Sequence, residues 1–232
     1  MPRSFPSAGA VWILVKIAAP VWLVCWFANA AAAELPAIRS GPNNEVPKCV
    51  RSTELMAFVN ERNRALDPPR TIDPRFSNLG SVYQRIGPCV QKKNQTCQGI
   101  RWDIAFFQML IETNYLTFRK PDGSPGGVPA GDNNFAGIGA TVAGRPGEKF
   151  RDIDTGVFAH LQHVLMYSGE RISDPVAERT RQVQSYVIEK MLKLGRPVTF
   201  ADLATEWTGT DQNTYGRSIQ GAAEKFALSH CP

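Results

Sequence analysis

The sequence lacks several signatures by which catalytic and binding domains are often recognised. It has no internal repeat and no heptad pattern, so neither a solenoid nor a coiled coil is expected. It also has no Gly-x-Ser-x-Gly elbow, and no Gly-Lys-Ser/Thr follows Gly137-Ile138-Gly139, so a phosphate loop is not expected. These absences leave carboxylate chemistry as the main candidate for catalysis.

The chain also has little excess charge. Its 26 Lys and Arg residues and 21 Asp and Glu residues give a formal net charge of +5. Removal of the first 33 residues would take away Arg3 and Lys16 but no acid, which lowers the net charge to +3. Such a mild excess does not predict nucleic-acid binding, but it is compatible with an anionic polymer such as the cell wall.

The first 33 residues have the features of a secretory signal peptide. Arg3 supplies positive charge, Ile17–Ala28 is an apolar region, and Ala28-Asn29-Ala30 fits a small-x-small cleavage site. An uncleaved anchor is the alternative, although the apolar run is short for a membrane span. We therefore expect a protein exported to the periplasm or the extracellular space. It would touch the membrane only through this segment, if the segment is uncleaved.

Five cysteines become four once Cys25 is removed with the signal peptide. An even number in an exported chain predicts two disulfides, for which three connectivities exist. The pairing Cys89–Cys97 with Cys49–Cys231 is favoured, since the first closes a short loop between glycines and the second joins the two ends of the domain. There is no CxxC pair, so neither a metal nor another cofactor is expected.

Hydrophobic periodicity predicts a mainly α fold with a single core. Residues 34–48 contain three prolines and are interpreted as a linker or an extended arm before the domain at 49–232. The glycine-rich segment Arg119–Gly147 predicts turns and short strands that overhang a cleft, with Phe135, Ile138 and Val142 turned inward. The predicted helices cover about 52–65, 74–85, 102–118, 157–168, 174–194, 199–207 and 215–227.

Glu112 is the candidate catalytic residue on the central helix, within the apolar-rich run Ile100–Phe118. Burial and the negative end of the helix dipole both disfavour its ionised form, so its pKa should be raised, as a general acid requires. A partner acid could come from the glycine-rich segment or just beyond it. His160 and His163 are three residues apart on a helix and are either metal ligands or packing residues. The acids available as partners are Asp132, Glu148, Asp152 and Asp154.

Three blocks in the chain resemble, in the same order, the bacterial glucosaminidase domain of the lysozyme-like superfamily, which occurs in autolysins and flagellar peptidoglycan hydrolases. The first is IAFFQMLIETNY at Ile104–Tyr115. The second is NNFAGI at Asn133–Ile138, followed by KFRDID at Lys149–Asp154. The third is WTGTDQNTY at Trp207–Tyr215. The resemblance spans about residues 102–226 and implies a lysozyme-like helical domain whose short glycine-rich lobe flanks a cleft.

The resemblance implies that Glu112 is the proton donor and that Tyr215 is an active-site tyrosine. Asn134, Phe135 and Gly137 would form the edge of the lobe beside the sugar. The lobe is shorter than is usual in the family, so the second acid is not fixed by the pattern; Glu148 is favoured over Asp132. Further substrate-binding residues would be Gln108, Tyr115 and Trp207, although Tyr115 and Trp207 are equally compatible with core positions.

These features together predict an exported endo-β-N-acetylglucosaminidase that acts on peptidoglycan glycan strands as a monomer. A muramidase or lytic transglycosylase of the same fold is the enzymatic alternative. A non-catalytic scaffold that binds the cell wall is the other.

Overall fold

The structure, a computed structural model, describes residues 34–120, 122–140, 146–207 and 212–231. The predicted signal peptide, Val142 and residues 208–211 of the third block lie outside the described residues. The chain from Glu34 onward forms one compact unit. Within the described ranges, no helix is long and apolar enough to cross a membrane.

The mainly α prediction is confirmed. The α-helices are α1 (Ser52–Arg64), α2 (Leu79–Ile86), α3 (Trp102–Glu112), α4 (Ile153–Tyr167), α5 (Glu178–Leu192), α6 (Phe200–Trp207) and α7 (Gln212–His230). Helix α3 lies at the centre, and every residue from Trp102 to Leu110 is buried. Such a helix is mostly apolar on all faces because other elements surround it. Helices α2, α4 and α7 all contact it.

The strands were predicted in the wrong segment. Strand β1 (Gln91–Lys93) pairs with β2 (Thr96–Gln98) as an antiparallel hairpin inside the loop that the cysteines close. Asn94 and Gln95 both have positive φ, which suits the two-residue turn of a right-twisted hairpin. The described part of the glycine-rich segment instead contains turns, a 3-10 turn at Ala130–Asp132 and one isolated bridge. Its Phe135 and Ile138 are buried, as predicted.

Both favoured disulfides are present. Cys49 is bonded to Cys231, with the two Cα atoms 5.2 Å apart, and ties the segment before α1 to the end of α7. Cys89 is bonded to Cys97, with a Cα–Cα distance of 4.8 Å, and closes the hairpin loop. The first bond therefore constrains most of the chain, whereas the second acts locally.

Helix α3 is shorter than the sequence predicts, since it ends at Glu112 and not near Phe118. Asn114, Tyr115, Leu116 and Phe118 all have positive φ, which L-residues adopt only at some cost in energy. Hydrogen bonds hold this left-handed stretch in place. The Thr113 hydroxyl donates to the carbonyl of Met109 at 2.8 Å and accepts the Leu116 amide at 3.0 Å. The amide of Asn63 on α1 donates to the carbonyl of Tyr115 at 2.8 Å.

The sequence left open whether residues 34–48 are a linker or an extended arm. In the structure this segment is an extended arm that packs on the domain. Leu35 and Ile38 are buried in the core. The Ile38 amide donates to the carbonyl of Val198 at 2.9 Å, and its carbonyl accepts the Arg101 amide at 2.8 Å. Apolar side chains in this proline-rich segment therefore close one side of the core.

Two helix starts were also placed too early. The Asp73 carboxylate accepts the Arg75 amide at 2.9 Å and caps a short 3-10 turn, Pro74–Phe76, so that α2 begins only at Leu79. Helix α5 begins at Glu178 and not at Asp174. A 3-10 turn after Asp73 and an irregular stretch after Asp174-Pro175 precede the two helices.

Candidate active site around Glu112

Glu112 is the last residue of α3 and lies in the wall of a cavity of about 570 Å³. Because the chain turns back after α3, Phe118, Arg119 and Lys120 return alongside Glu112 and line the same cavity. The other described residues that line it are Ile111, Thr113, Asn114, Gly126, Gly127, Val128, Asn134, Ala136, Gly137, Ala140 and Trp207.

Gly137 approaches the carboxyl of Glu112 from the glycine-rich lobe. A Cβ atom at this position would lie 3.5 Å from Oε2 of Glu112. Gly137 also has a φ of +61°, a conformation that favours glycine. Gly137 therefore lines the cavity next to the carboxyl of Glu112.

The carboxyl of Glu112 is bound by two side chains from the third block. The Tyr215 hydroxyl donates a hydrogen bond to Oε1, and Trp207 also hydrogen-bonds the carboxyl. Burial raises the pKa of Glu112 to about 7, against the lowering effect of these two hydrogen bonds. A carboxyl with this pKa holds its proton in about half of the molecules at neutral pH, which suits a general acid.

Gln108 holds the Tyr215 hydroxyl in place through a second hydrogen bond. The side-chain amide of Gln108 donates to the Tyr215 hydroxyl at 3.1 Å. Gln108 itself is fully buried, so it supports Tyr215 and does not face the cavity, where the sequence placed it as a substrate-binding residue. Its carbonyl oxygen lies 3.3 Å from Nε2 of His160.

Asn134 shapes the lobe through its side chain. Its amide donates to the carbonyls of Ile138 and Glu148, both at 2.9 Å, and its carbonyl oxygen accepts the Ile138 amide at 3.0 Å. These bonds fix the turn that carries Gly137. Phe135 points into the core, where it packs against Phe76, so the prediction that it lies beside the sugar is wrong.

The two aromatic residues with open roles differ in position. Tyr115 does not line the cavity; its ring packs against Phe58 and lies under the guanidinium of Arg62, 5.1 Å from the ring centre. Trp207 lines the cavity and also packs against the rings of His163 and Tyr167. Of these two residues, Trp207 is therefore the one that can meet a ligand in the cavity.

The four candidate partner acids have other roles in the structure. Both carboxylate oxygens of Glu148 accept backbone amides at the start of α5, from Glu178 at 2.8 Å and Arg179 at 2.7 Å. Glu148 is thus a helix cap, which argues against the predicted catalytic role. The remaining three are engaged as follows: Asp132 lies 3.9 Å from Lys149, Asp152 caps α4 through the Thr155 amide, and Asp154 pairs with Arg85.

The buried His160 and Tyr83 were not predicted as parts of the site. Nδ1 of His160 lies 2.7 Å from the Tyr83 hydroxyl, and burial lowers the pKa of His160 to about 3, so its ring is neutral. His163 is also neutral and bonds to Thr180 at 2.7 Å. The three-residue spacing of His160 and His163 in the sequence could have pointed to His160 as a buried polar residue. Tyr83 lies outside the three sequence blocks, so no pattern in the sequence pointed to it. In the described ranges, no cluster of three or more metal-ligating side chains occurs.

Comparison with known proteins gives one partial similarity. Over 113 residues the chain is 31% identical to an uncharacterized protein of Borreliella burgdorferi, a match that covers 47% of this chain and 48% of the other. The chain therefore spans about half the length of this relative. No family model and no solved structure matches.

Replacement of Tyr215 by phenylalanine tests the hydrogen bond to Glu112. The bond lowers the pKa of Glu112, so its loss should raise that pKa above about 7. Titration of the Glu112 carboxyl by ¹³C NMR in the wild type and in Tyr215→Phe measures the change. A pKa that is unchanged or lower in the variant would contradict the assignment.

Proposed function

We propose that the protein is an exported glycosidase that cleaves peptidoglycan after N-acetylglucosamine, with Glu112 as its general acid. The observation that carries the proposal is the carboxyl of Glu112, which is desolvated at a cavity wall, hydrogen-bonded by Tyr215 and Trp207, and has a pKa of about 7. The two disulfides are compatible with export.

In the proposed reaction, the protonated carboxyl of Glu112 donates its proton to the glycosidic oxygen as the bond to the sugar breaks. The resulting carboxylate then takes a proton from the attacking water. One carboxyl can serve in both steps because its pKa lies near neutral pH. Tyr215 supports the second step, since its hydroxyl stabilises the carboxylate by hydrogen bonding.

The composition of the cavity supports a glycan that carries carboxylates. Apolar side chains from Phe118, Val128 and Trp207 offer surfaces for sugar rings, and Arg119 and Lys120 add positive charge. Peptidoglycan has carboxylates on its lactyl groups and stem peptides, which such cations attract. A cavity of about 570 Å³ is also in the ordinary range for small-ligand sites, about 300–1,000 Å³.

A lytic transglycosylase is the second candidate function. The positions of the carboxylates other than Glu112 favour it. Glu148 and Asp152 cap helices, and Asp154 forms an ion pair, so these carboxylates are engaged elsewhere. A transglycosylase uses one carboxyl first as acid and then as base toward a hydroxyl of the substrate itself, which Glu112 could do.

The decisive experiment is digestion of purified peptidoglycan followed by mass spectrometry of the new chain ends. N-acetylglucosamine at the reducing ends would support the main proposal. Anhydromuramic ends would reject it in favour of the transglycosylase, and reducing muramic acid ends would indicate a muramidase. Binding to the wall without any new ends would reject all three enzymes and favour a scaffold.

A further inference from the structure

We propose that Tyr83, His160 and Gln108 are positioning residues that fix the Tyr215 hydroxyl as a donor to Oε1 of Glu112. The inference rests on the proposed function, because it assigns roles within the same site. We call the five residues the buried hydrogen-bond chain: Tyr83, His160, Gln108, Tyr215 and Glu112.

The chain connects four helices through the core. Tyr83 is on α2, Gln108 and Glu112 are on α3, His160 is on α4, and Tyr215 is on α7. Tyr83, Gln108 and His160 have no exposed surface at all. Buried polar groups need hydrogen-bond partners, so each of these three residues depends on its neighbours in the chain.

The donor-to-acceptor direction of the buried hydrogen-bond chain follows from its end at Tyr83. Among the described residues, His160 is the one hydrogen-bond partner of the Tyr83 hydroxyl, at 2.7 Å, so this buried O–H donates to Nδ1 of His160. The imidazole is neutral, so a ring nitrogen that accepts at Nδ1 carries its proton at Nε2. The Nε2–H group then donates to the carbonyl oxygen of Gln108, 3.3 Å away.

The same direction continues to the carboxyl. Since the carbonyl oxygen of Gln108 accepts from His160, its NH₂ group is the one that donates to the Tyr215 hydroxyl, at 3.1 Å. Tyr215 has a single O–H proton, and that proton points to Oε1 of Glu112. All four bonds therefore run one way, from Tyr83 to Glu112.

The consequence concerns the position of the Glu112 carboxyl. Oε1 accepts the Tyr215 proton, so the chain holds this oxygen as a hydrogen-bond acceptor on the side of α7. Oε2 is the oxygen close to Gly137, where a Cβ atom would be only 3.5 Å away, so the absence of a side chain at Gly137 leaves room beside the carboxyl.

Few other charged or titratable groups act on the chain. His163 lies beside His160 on α4, and Tyr167 influences Tyr215 from the same helix. From α5, Arg179 acts on His163 and Tyr167. Arg119 and Lys120 line the cavity on the outer side of Glu112. Hydrogen-bond direction is thus set mainly by the chain itself.

The first test is the tautomer of His160, read by ¹⁵N NMR of labelled histidine. The protein has three histidines, so the spectra can be assigned by substitution. We expect neutral His160 to carry its proton on Nε2 across the range in which the protein stays folded. A proton on Nδ1 in the wild-type protein would overturn the proposal, whatever the enzymatic activity.

The second test is Tyr83→Phe. Without the Tyr83 hydroxyl, Nδ1 is no longer held as an acceptor, and we expect the Nδ1–H tautomer to become detectable. Tyr215 then loses part of its donation to Glu112, so the upper pH limit of activity should move up and kcat/KM should fall about tenfold. Unchanged tautomer and unchanged pH limit in a folded variant would overturn the proposal.

Two comparisons separate positioning from general loosening of the core. In the double variant Tyr83→Phe/Tyr215→Phe, the pH limit should equal that of Tyr215→Phe alone, since the effect of Tyr83 passes through Tyr215. The matched control is Thr180→Val, which removes a 2.7 Å hydrogen bond to the buried His163 on the same helix as His160. An additive shift in the double variant, or an equal shift in the control, would reject the proposal.

The NMR readouts keep this inference separate from the proposed function. If the protein does not cleave peptidoglycan, the pKa of Glu112 in each variant is measured by ¹³C NMR instead. If the tautomers are as expected but no cleavage occurs, the proposed function is refuted and the buried hydrogen-bond chain is supported. If cleavage occurs but His160 has the opposite tautomer, the proposed function is supported and the buried hydrogen-bond chain is refuted.

Discussion

Replacement of Glu112 by glutamine is expected to reduce peptidoglycan cleavage by about 10²–10⁴-fold, the range for loss of a general acid. Glutamine keeps the shape of the side chain and can still accept the Tyr215 hydroxyl through its carbonyl oxygen. It has no proton to give to a leaving oxygen. The loss should therefore appear mainly in kcat, with little change in binding to the wall.

The same substitution should stabilise the protein at alkaline pH. The pKa of Glu112 is about 7 in the folded protein, against an ordinary value of 4.5 for a glutamate, so the folded state resists ionisation. Stability is unaffected below about pH 4.5, falls as the pH rises through this interval, and stays lower above pH 7. A raised carboxyl pKa of this size corresponds to about 3 kcal/mol, which Glu112→Gln should restore.

Thermal unfolding on either side of this interval measures the effect. Glu112→Gln should raise the Tm by roughly 6–12 °C at mildly alkaline pH and leave it nearly unchanged at acidic pH. Glu189→Gln is the matched control, because Glu189 is exposed and pairs with Lys193 on the surface of α5. Equal stability of Glu112→Gln and wild type at alkaline pH would show that Glu112 is not desolvated. Equal cleavage by the two proteins would show that it is not the acid.

Removal of the Cys49–Cys231 disulfide should produce the largest loss of stability. The bond joins residues 182 positions apart, so it restricts almost the whole unfolded chain. The loop-entropy relation gives a stabilisation of about 5 kcal/mol for a loop of this length. The double variant Cys49→Ser/Cys231→Ser should lose about that much free energy of unfolding.

The Cys89–Cys97 disulfide provides the matched comparison within the same protein. It spans only 8 positions, for which the same relation gives about 2.5 kcal/mol. Urea unfolding of the two double serine variants under identical conditions measures the difference. A larger loss for the hairpin disulfide would contradict the entropic account and point to local contacts of β1 and β2.

The helical class, both disulfides and the raised pKa of Glu112 could be predicted from the sequence. Each depends on information that is local or countable: the 3.6-residue periodicity, the even number of cysteines, and an acid in an apolar run. The buried positions of Phe135 and Ile138 were predictable for the same reason.

The end of α3 could not be predicted in this way. Residues 113–118 have no glycine or proline that would end a helix. Four of them adopt a left-handed conformation, and a side chain on a distant helix, Asn63, helps to hold them there by binding the carbonyl of Tyr115. Glu148 is a similar case, since its carboxylate binds the amides at the start of α5, which lie 30 positions further along the chain.

The sequence by itself therefore determined a disulfide-bonded helical domain with one acid, Glu112, in an apolar setting. The tertiary structure decided what surrounds that acid. It brought Tyr215 and Trp207 to the carboxyl, turned the chain after α3 to close the cavity, and linked Tyr83 through the core to the same site. The physical reason is that hydrogen bonds between distant buried groups leave no periodic trace in the sequence, whereas burial of apolar faces does.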